Sequence, residues 1–118
     1  MFERIIVVCT GNICRSPVAA AMFARELPRH QIESAGLAAR IEEGVDSTAR
    51  RLAEADGLDV SAHRARQLER ASVMQADLVL VMSERQRRAI AKRAPDALGK
   101  TMLLGHWLGE SGGREIPD

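Results

Sequence analysis

Apolar residues in this chain fall into short unbroken runs, separated by stretches with helical spacing. Ile5 to Val8 is one such run, as expected of a strand buried on both faces. Asp77 to Met82 is a second, and Thr101 to Leu104 reads as a short further strand. Gln31 to Ala35 fits another strand, and residues 36–45 read as a loop with glycine at each end. Pro17 to Leu27 is apolar nearly all round, which predicts a well-buried helix ending before Pro28. Asp46 reads as the N-cap of a helix that stops at Gly57. Ser83-Glu84-Arg85-Gln86 has the capping-box pattern and opens a helix running to Ala94, before Pro95. From Gly105 onward the chain reads as loop. Strand and helix therefore alternate. That predicts an α/β fold: a single four-stranded parallel sheet with helices on both faces. In such sheets ligands bind at the carboxyl ends of the strands, near a topological switch point.

Composition changes this picture little. The 118 residues read as a single domain, 1–118, with 46% hydrophobic and 28% charged residues, ordinary for a globular protein. No apolar stretch approaches the ~20 residues needed to span a bilayer. The N-terminus has no basic region leading into a long apolar core, so no signal peptide is read and no membrane partner is expected. Two cysteines make no disulfide framework, and a reducing, cytoplasmic compartment is the natural reading. They also lack a matching ligand pair for zinc. A net charge of +1 leaves no global footprint for nucleic acid.

The chemistry concentrates where the first strand ends, in Cys9-Thr10-Gly11-Asn12-Ile13-Cys14-Arg15-Ser16-Pro17. A thiol at the carboxyl end of a buried strand is followed by a short phosphate-binding loop and a helix start. A helix N-terminus carries partial positive charge and unpaired N–H groups, which suit both a thiolate and a phosphate dianion. Gly11 takes positive φ freely, and Asn12 tolerates left-handed geometry. Together they let the loop curl with its N–H groups inward. Arg15 offers a planar fork matched to two phosphate oxygens. Ser16 reads as N-cap with Pro17 at the first helical position, and its hydroxyl is placed to donate to the thiolate. The bland alternative is a buried structural thiol beside a surface arginine.

This segment resembles the active-site loop of the low-molecular-weight protein tyrosine phosphatases. Ile32-Glu33-Ser34-Ala35-Gly36, Ser61-Ala62-His63-Arg64-Ala65-Arg66-Gln67-Leu68, Asp77-Leu78-Val79-Leu80-Val81-Met82 and Ile116-Pro117-Asp118 resemble further family landmarks in the family's order. Gly105-His106-Trp107 is similar to the bacterial branch associated with capsule and exopolysaccharide tyrosine kinases. The resemblance implies a phosphotyrosine phosphatase working through a phosphocysteine, with no metal or cofactor. Cys9 would be the nucleophile. Thr10, Gly11, Asn12, Ile13, Cys14, Arg15 and Ser16 would bind phosphate, and Asp118 would be the general acid. Phenol has a pKa of about 10, so protonating it as it leaves is typically worth ~10²–10⁴-fold. The family's proline after that acid, and its last helix, are absent from this chain, so the expectation is of an incompletely represented sequence. The implied partner is a phosphotyrosine protein, a bacterial tyrosine autokinase of polysaccharide export.

The resemblance also assigns Ser34 and His63 to bracing the loop asparagine. It gives Cys14 a reversible disulfide with Cys9 that protects the nucleophile. Ile13, where related arginine phosphatases typically carry Thr, favours a flat phenyl ring. The substrate slot would comprise Ile13, Arg40 and Ile41, with Arg40 standing where relatives often have an aromatic or Leu. Arg85, Arg87, Arg88, Lys92 and Arg93 make a basic helix, read as a solvated face or as a docking patch for an acidic phosphoprotein tail. Competing functions are a non-catalytic phosphate- or phosphotyrosine-binding module, an arginine phosphatase, and an arsenate reductase. The last would need further downstream cysteines, and none follows Cys14.

Overall fold

The computed structural model describes residues 3–104. Its elements are β1 (Arg4–Cys9), α1 (Arg15–Glu26), β2 (Gln31–Gly36), α2 (Ser47–Ala55), α3 (Arg70–Gln75), β3 (Leu78–Val81), α4 (Glu84–Arg93), a 3₁₀ segment (Pro95–Lys100) and β4 (Thr101–Leu103). The four strands form one sheet in the order β2-β1-β3-β4. Every pairing is parallel, with Ile5 opposite both Ile32 and Leu78, and Cys9 opposite Gly36.

The period-two alternation of strands sorts the core into two halves. Ile5, Val7 and Cys9 join Leu78, Leu80 and Met82 on one face, packed against Ala19, Ala20, Phe23 and Leu27 of and after α1. Ile6 and Val8 join Val79 and Val81 on the other, against Val73 of α3 and Ile90 of α4. With helices on both faces, β1 and β3 have no exposed side, which is why they read as unbroken apolar runs. The chain leaves β1 for β2 on one side and returns to β3 on the other. The switch point therefore lies at the carboxyl ends of β1 and β3, where Cys9 stands.

Three expectations need correction. Helix α1 begins at Arg15 with Cys14 at its cap and no side-chain cap bond, so Ser16 is inside the first turn and not its cap. The helix is also less buried than its composition implied: only Ser16 and Pro17 are fully buried, and Met22 is 44% exposed. A single helix meets the sheet along one stripe; here Val18 and Ala21 pack instead against Ala53, Leu58 and Val60, and Met22 borders a groove with Leu104. The capping box closes on one side only. Ser83 Oγ accepts from the Gln86 N–H at 3.3 Å, but the Gln86 side chain turns away from Ser83 to accept the Met82 N–H at 2.7 Å. The six-residue α3 and the 3₁₀ segment had no sequence signal, being too short to display a period.

Candidate active site

The loop between β1 and α1 is held with its carbonyls outward. Five consecutive carbonyl oxygens, of Cys9, Thr10, Gly11, Asn12 and Ile13, accept from Leu37 N, Ala38 N, Arg40 N, His63 Nε2 and Asp46 N at 3.0, 2.9, 2.9, 2.6 and 2.7 Å. The N–H of a trans peptide points opposite to its C=O, and no cis bond occurs among the described residues. The N–H groups of Thr10 to Cys14 therefore turn inward, forming an anion cradle of aligned dipoles at the start of α1. The segment 37–46 acts as a strap that fixes this curvature through its own main-chain donors.

Asn12 is the hub. It is fully buried at φ 59, a left-handed conformation. Its Nδ2 donates to Ser16 Oγ at 2.8 Å and to Ser34 Oγ at 3.0 Å. Its Oδ1 accepts from the Arg66 N–H at 2.9 Å. Because its backbone carbonyl can only accept, His63 must be the donor through Nε2.

The sulfur of Cys9 is buried and receives two donors. The Asn12 N–H lies 3.3 Å from Sγ, and Ser16 Oγ lies 3.0 Å from it. Once Cys9 is a thiolate it can only accept, and the Ser16 hydroxyl is then the donor. Both bonds suit a thiolate acceptor. Ser16 thus reaches the Cys9 sulfur, as the sequence predicts, without being the helix cap.

Above the sulfur opens a cavity of about 450 Å³, lined by Cys9, Thr10, Gly11, Ile13, Cys14, Arg15, Ala38, Arg40 and Asp46. The structure thus brings Ile13 and Arg40 to the wall but not Ile41, which is 63% exposed. The reason is a turn: Glu43 N–H bonds Arg40 O at 3.0 Å with Glu42 at φ 70, leaving Ile41 at its tip. Arg40 is fixed by its main chain to Gly11 and by Nε to Glu43 Oε2 at 3.0 Å. Neither Cys9 nor Cys14 is in a disulfide. Asp118 lies outside the described residues, as do Gly105-His106-Trp107.

Gln86 was not anticipated. Buried between β3 and the loop, it ties the Met82 N–H to Thr10, donating from Nε2 to Thr10 Oγ1 at 3.2 Å. Asp46 was anticipated only as a cap. It caps α2 through the N–H groups of Thr48 and Ala49 while its own N–H holds Ile13 O. Gln67 likewise braces the strap, accepting from Ala39 N–H and donating to Leu37 O. None of these has a local pattern that announces it. No group of three or more His, Cys, Asp or Glu suited to a metal ion occurs among the described residues.

A thiol at the end of a central parallel strand, under an inward-facing N–H cradle with an arginine at the helix start, defines a cysteine-dependent anion site of the phosphatase kind. The chain belongs to the low molecular weight phosphotyrosine protein phosphatase family, whose model matches residues 4–118. It is 44% identical over 118 residues to the low molecular weight protein-tyrosine-phosphatase Wzb of Escherichia coli K12, covering all of this chain and 78% of that protein. Among solved structures, the tyrosine phosphatase Wzb from E. coli K30 in complex with sulphate superposes with a TM-score of 0.93 at 47% identity. That match covers 100% of this chain and 80% of the other. A YwlE arginine phosphatase from Geobacillus stearothermophilus is also similar, with a TM-score of 0.88, 34% identity, and 98% and 75% coverage.

Proposed function

We propose that this chain is a protein tyrosine phosphatase in which Cys9 carries the phosphoryl group. The observation that supports it most is the sulfur of Cys9 lying at the floor of the cradle, with two hydrogen-bond donors on it. The thiolate attacks phosphorus in line, an S–P bond forms and the P–O bond to the phenol breaks. The inward N–H groups of residues 10–14 and the Arg15 guanidinium take the charge growing on the phosphoryl oxygens, which is the largest single source of rate in such sites. Asp118 supplies the proton to the departing phenolate. Water then cleaves the S–P bond, returning the thiolate and releasing inorganic phosphate.

The substrate reading is phosphotyrosine over phosphoarginine. Ile13 gives the cavity wall an apolar surface suited to a phenyl ring. The similarity to an arginine phosphatase keeps the second substrate in the experiment. The proposed physiological substrate is a tyrosine autokinase of polysaccharide export, following the sequence resemblance, and the proposed compartment is the cytoplasm. No helix among the described residues is long and apolar enough to cross a membrane.

The test is hydrolysis of p-nitrophenyl phosphate, a phosphotyrosyl peptide and a phosphoarginyl peptide in EDTA, with Cys9→Ser as control. Turnover of the first two that disappears in the variant is expected. Phosphate or phosphopeptide binding without turnover would establish a binding module instead. Faster release from phosphoarginine would reverse the substrate assignment.

A further inference from the structure

Helix α4 carries five of the 17 lysines and arginines of this protein within ten residues. Glu84–Arg93 contains five cations and one acid, a formal +4, while the whole chain totals +1, so the remaining residues together carry −3. Two of the five have structural duties. Arg87 donates from Nε to Thr101 O at 2.9 Å, and Arg93 from Nη2 to Leu37 O at 3.1 Å. The other three, Arg85, Arg88 and Lys92, are exposed and have no hydrogen bond or ion pair among the described residues.

Their spacing is i, i+3, i+7, which puts them on one stripe of the helix. The opposite side is buried through Gln86 and Ile90. Folding gives no reason for this stripe. Arg85 sits in the first turn, where the helix dipole disfavours a cation. Arg85 and Arg88, and Arg88 and Lys92, are like-charge neighbours at the two spacings where side chains meet. Lys92 alone suits its place, near the C-terminal end.

The stripe starts at the same end of the sheet as the site. Helix α4 opens directly after β3, at the carboxyl ends of the strands, and Gln86 in its first turn holds Thr10 of the phosphate loop from the helix's buried side. From there it runs for about 10 Å, at roughly 1.5 Å per residue. That length matches about three residues of an extended peptide at ~3.3 Å each.

We infer that Arg85, Arg88 and Lys92 form a docking stripe for an acidic segment flanking the phosphotyrosine of the substrate protein. This rests on the phosphatase reading and adds to it a substrate class: phosphotyrosines within carboxylate-rich sequence. The stripe acts by raising the encounter rate and lowering KM, without touching the phosphoryl group.

The experiment uses the full chain with Cys9→Ser, so that binding is read without turnover. Two fluorescein-labelled phosphotyrosyl peptides are compared by anisotropy, one flanked by glutamates and the other by glutamines at the same positions. The glutamate peptide is expected to bind roughly tenfold more tightly, the scale of a few exposed charge contacts. The preference fades as salt rises from about 50 to about 300 mM, and it vanishes when Arg85→Ala, Arg88→Ala and Lys92→Ala are added. An equal loss for both peptides, or a glutamate preference that survives the triple substitution, overturns the inference. So does stripe-dependent capture of an RNA oligonucleotide or anionic vesicles in preference to the acidic peptide. In the Cys9 background the triple variant should hydrolyse p-nitrophenyl phosphate at the parental rate. Absence of that hydrolysis in the parent would defeat the phosphatase reading, while the anisotropy would still decide the docking stripe.

Discussion

Replacing Asn12 with Ala tests whether a buried amide, and not the loop sequence as such, holds the cradle. The side chain makes three hydrogen bonds, to Ser16 Oγ, to Ser34 Oγ and from the Arg66 N–H. At about 0.5–1.5 kcal/mol each, their loss costs about 1.5–4.5 kcal/mol. The backbone at φ 59 adds roughly 1 kcal/mol, because alanine tolerates the left-handed region less well than asparagine. The expected loss of stability is therefore about 2.5–5.5 kcal/mol, a large share of the ~5–15 kcal/mol typical of a domain. Asn12→Gly separates the two contributions: it removes the same bonds but accepts the backbone angle, and should recover roughly 1 kcal/mol relative to the alanine variant. Chemical denaturation at neutral pH reads both numbers. In the same samples kcat/KM for p-nitrophenyl phosphate should fall by about 10²-fold, the scale of losing one preorganised charge-stabilising donor. An alanine variant within about 1 kcal/mol of the parent, turning over at the parental rate, would refute the assignment of Asn12 as hub. Equal stability of the alanine and glycine variants would refute the strain argument alone.

Gly36→Ala should damage the site through packing. A Cβ there would lie 2.5 Å from Thr10 O and 3.1 Å from Ala39 Cα. Both neighbours are backbone, so the loop must move; about 1–3 kcal/mol of stability should be lost, with a disproportionate fall in turnover. A variant with the parental Tm and rate would contradict this. Asp77→Asn concerns the amino ends of the two central strands. The Asp77 carboxylate accepts the N–H groups of Arg4 and Glu3, both at 2.9 Å, and these bonds hold it below its ordinary value of 3.8. A depressed folded-state value means stability present above the ordinary value and lost as pH falls through the folded one. Asp77→Asn should thus be less stable than the parent at neutral pH, with the two thermal-melt curves converging below pH about 4. A constant gap across that range would assign the effect to shape instead of charge.

The sequence carried the parts of the site whose signal is local. β1 and β3 were readable because burial on both faces leaves no polar position to interrupt them. Asn12 was readable because few residues other than glycine tolerate its backbone angle. Asp46 was readable as a cap because that role spans three residues. Ser16 was misread only as the cap, because a serine before a proline is a helix-start signature; its expected contact with the sulfur seven residues earlier is present. The strap was unreadable. Leu37, Ala38 and Arg40 hold the loop through backbone N–H groups, which every residue but proline possesses. Gln86 looked like half of a capping box, and only the parallel pairing of β1 with β3 brings Thr10 within its reach.

These two failures share a cause that bears on how the site works. A cradle of backbone N–H groups needs its carbonyls satisfied elsewhere, since a buried carbonyl without a partner is costly. The strap provides four of those partners before any phosphate arrives, through bonds of 2.7 to 3.0 Å, and His63 provides the fifth at 2.6 Å. The inward orientation of the N–H groups is thus settled by folding and not by the ligand, so little reorganisation remains when charge develops on a phosphoryl group. The strap also carries Ala38 and Arg40, which line the cavity wall. One segment therefore fixes the loop with its main chain and faces the substrate with its side chains. Wall residues can then vary in sequence without disturbing the cradle, because the groups that hold the cradle are not the groups that vary. An arginine can stand at position 40 for this reason: its N–H serves Gly11 whatever its side chain is. Specificity is free to drift along the strap and along α4 while the chemistry at Cys9 stays fixed.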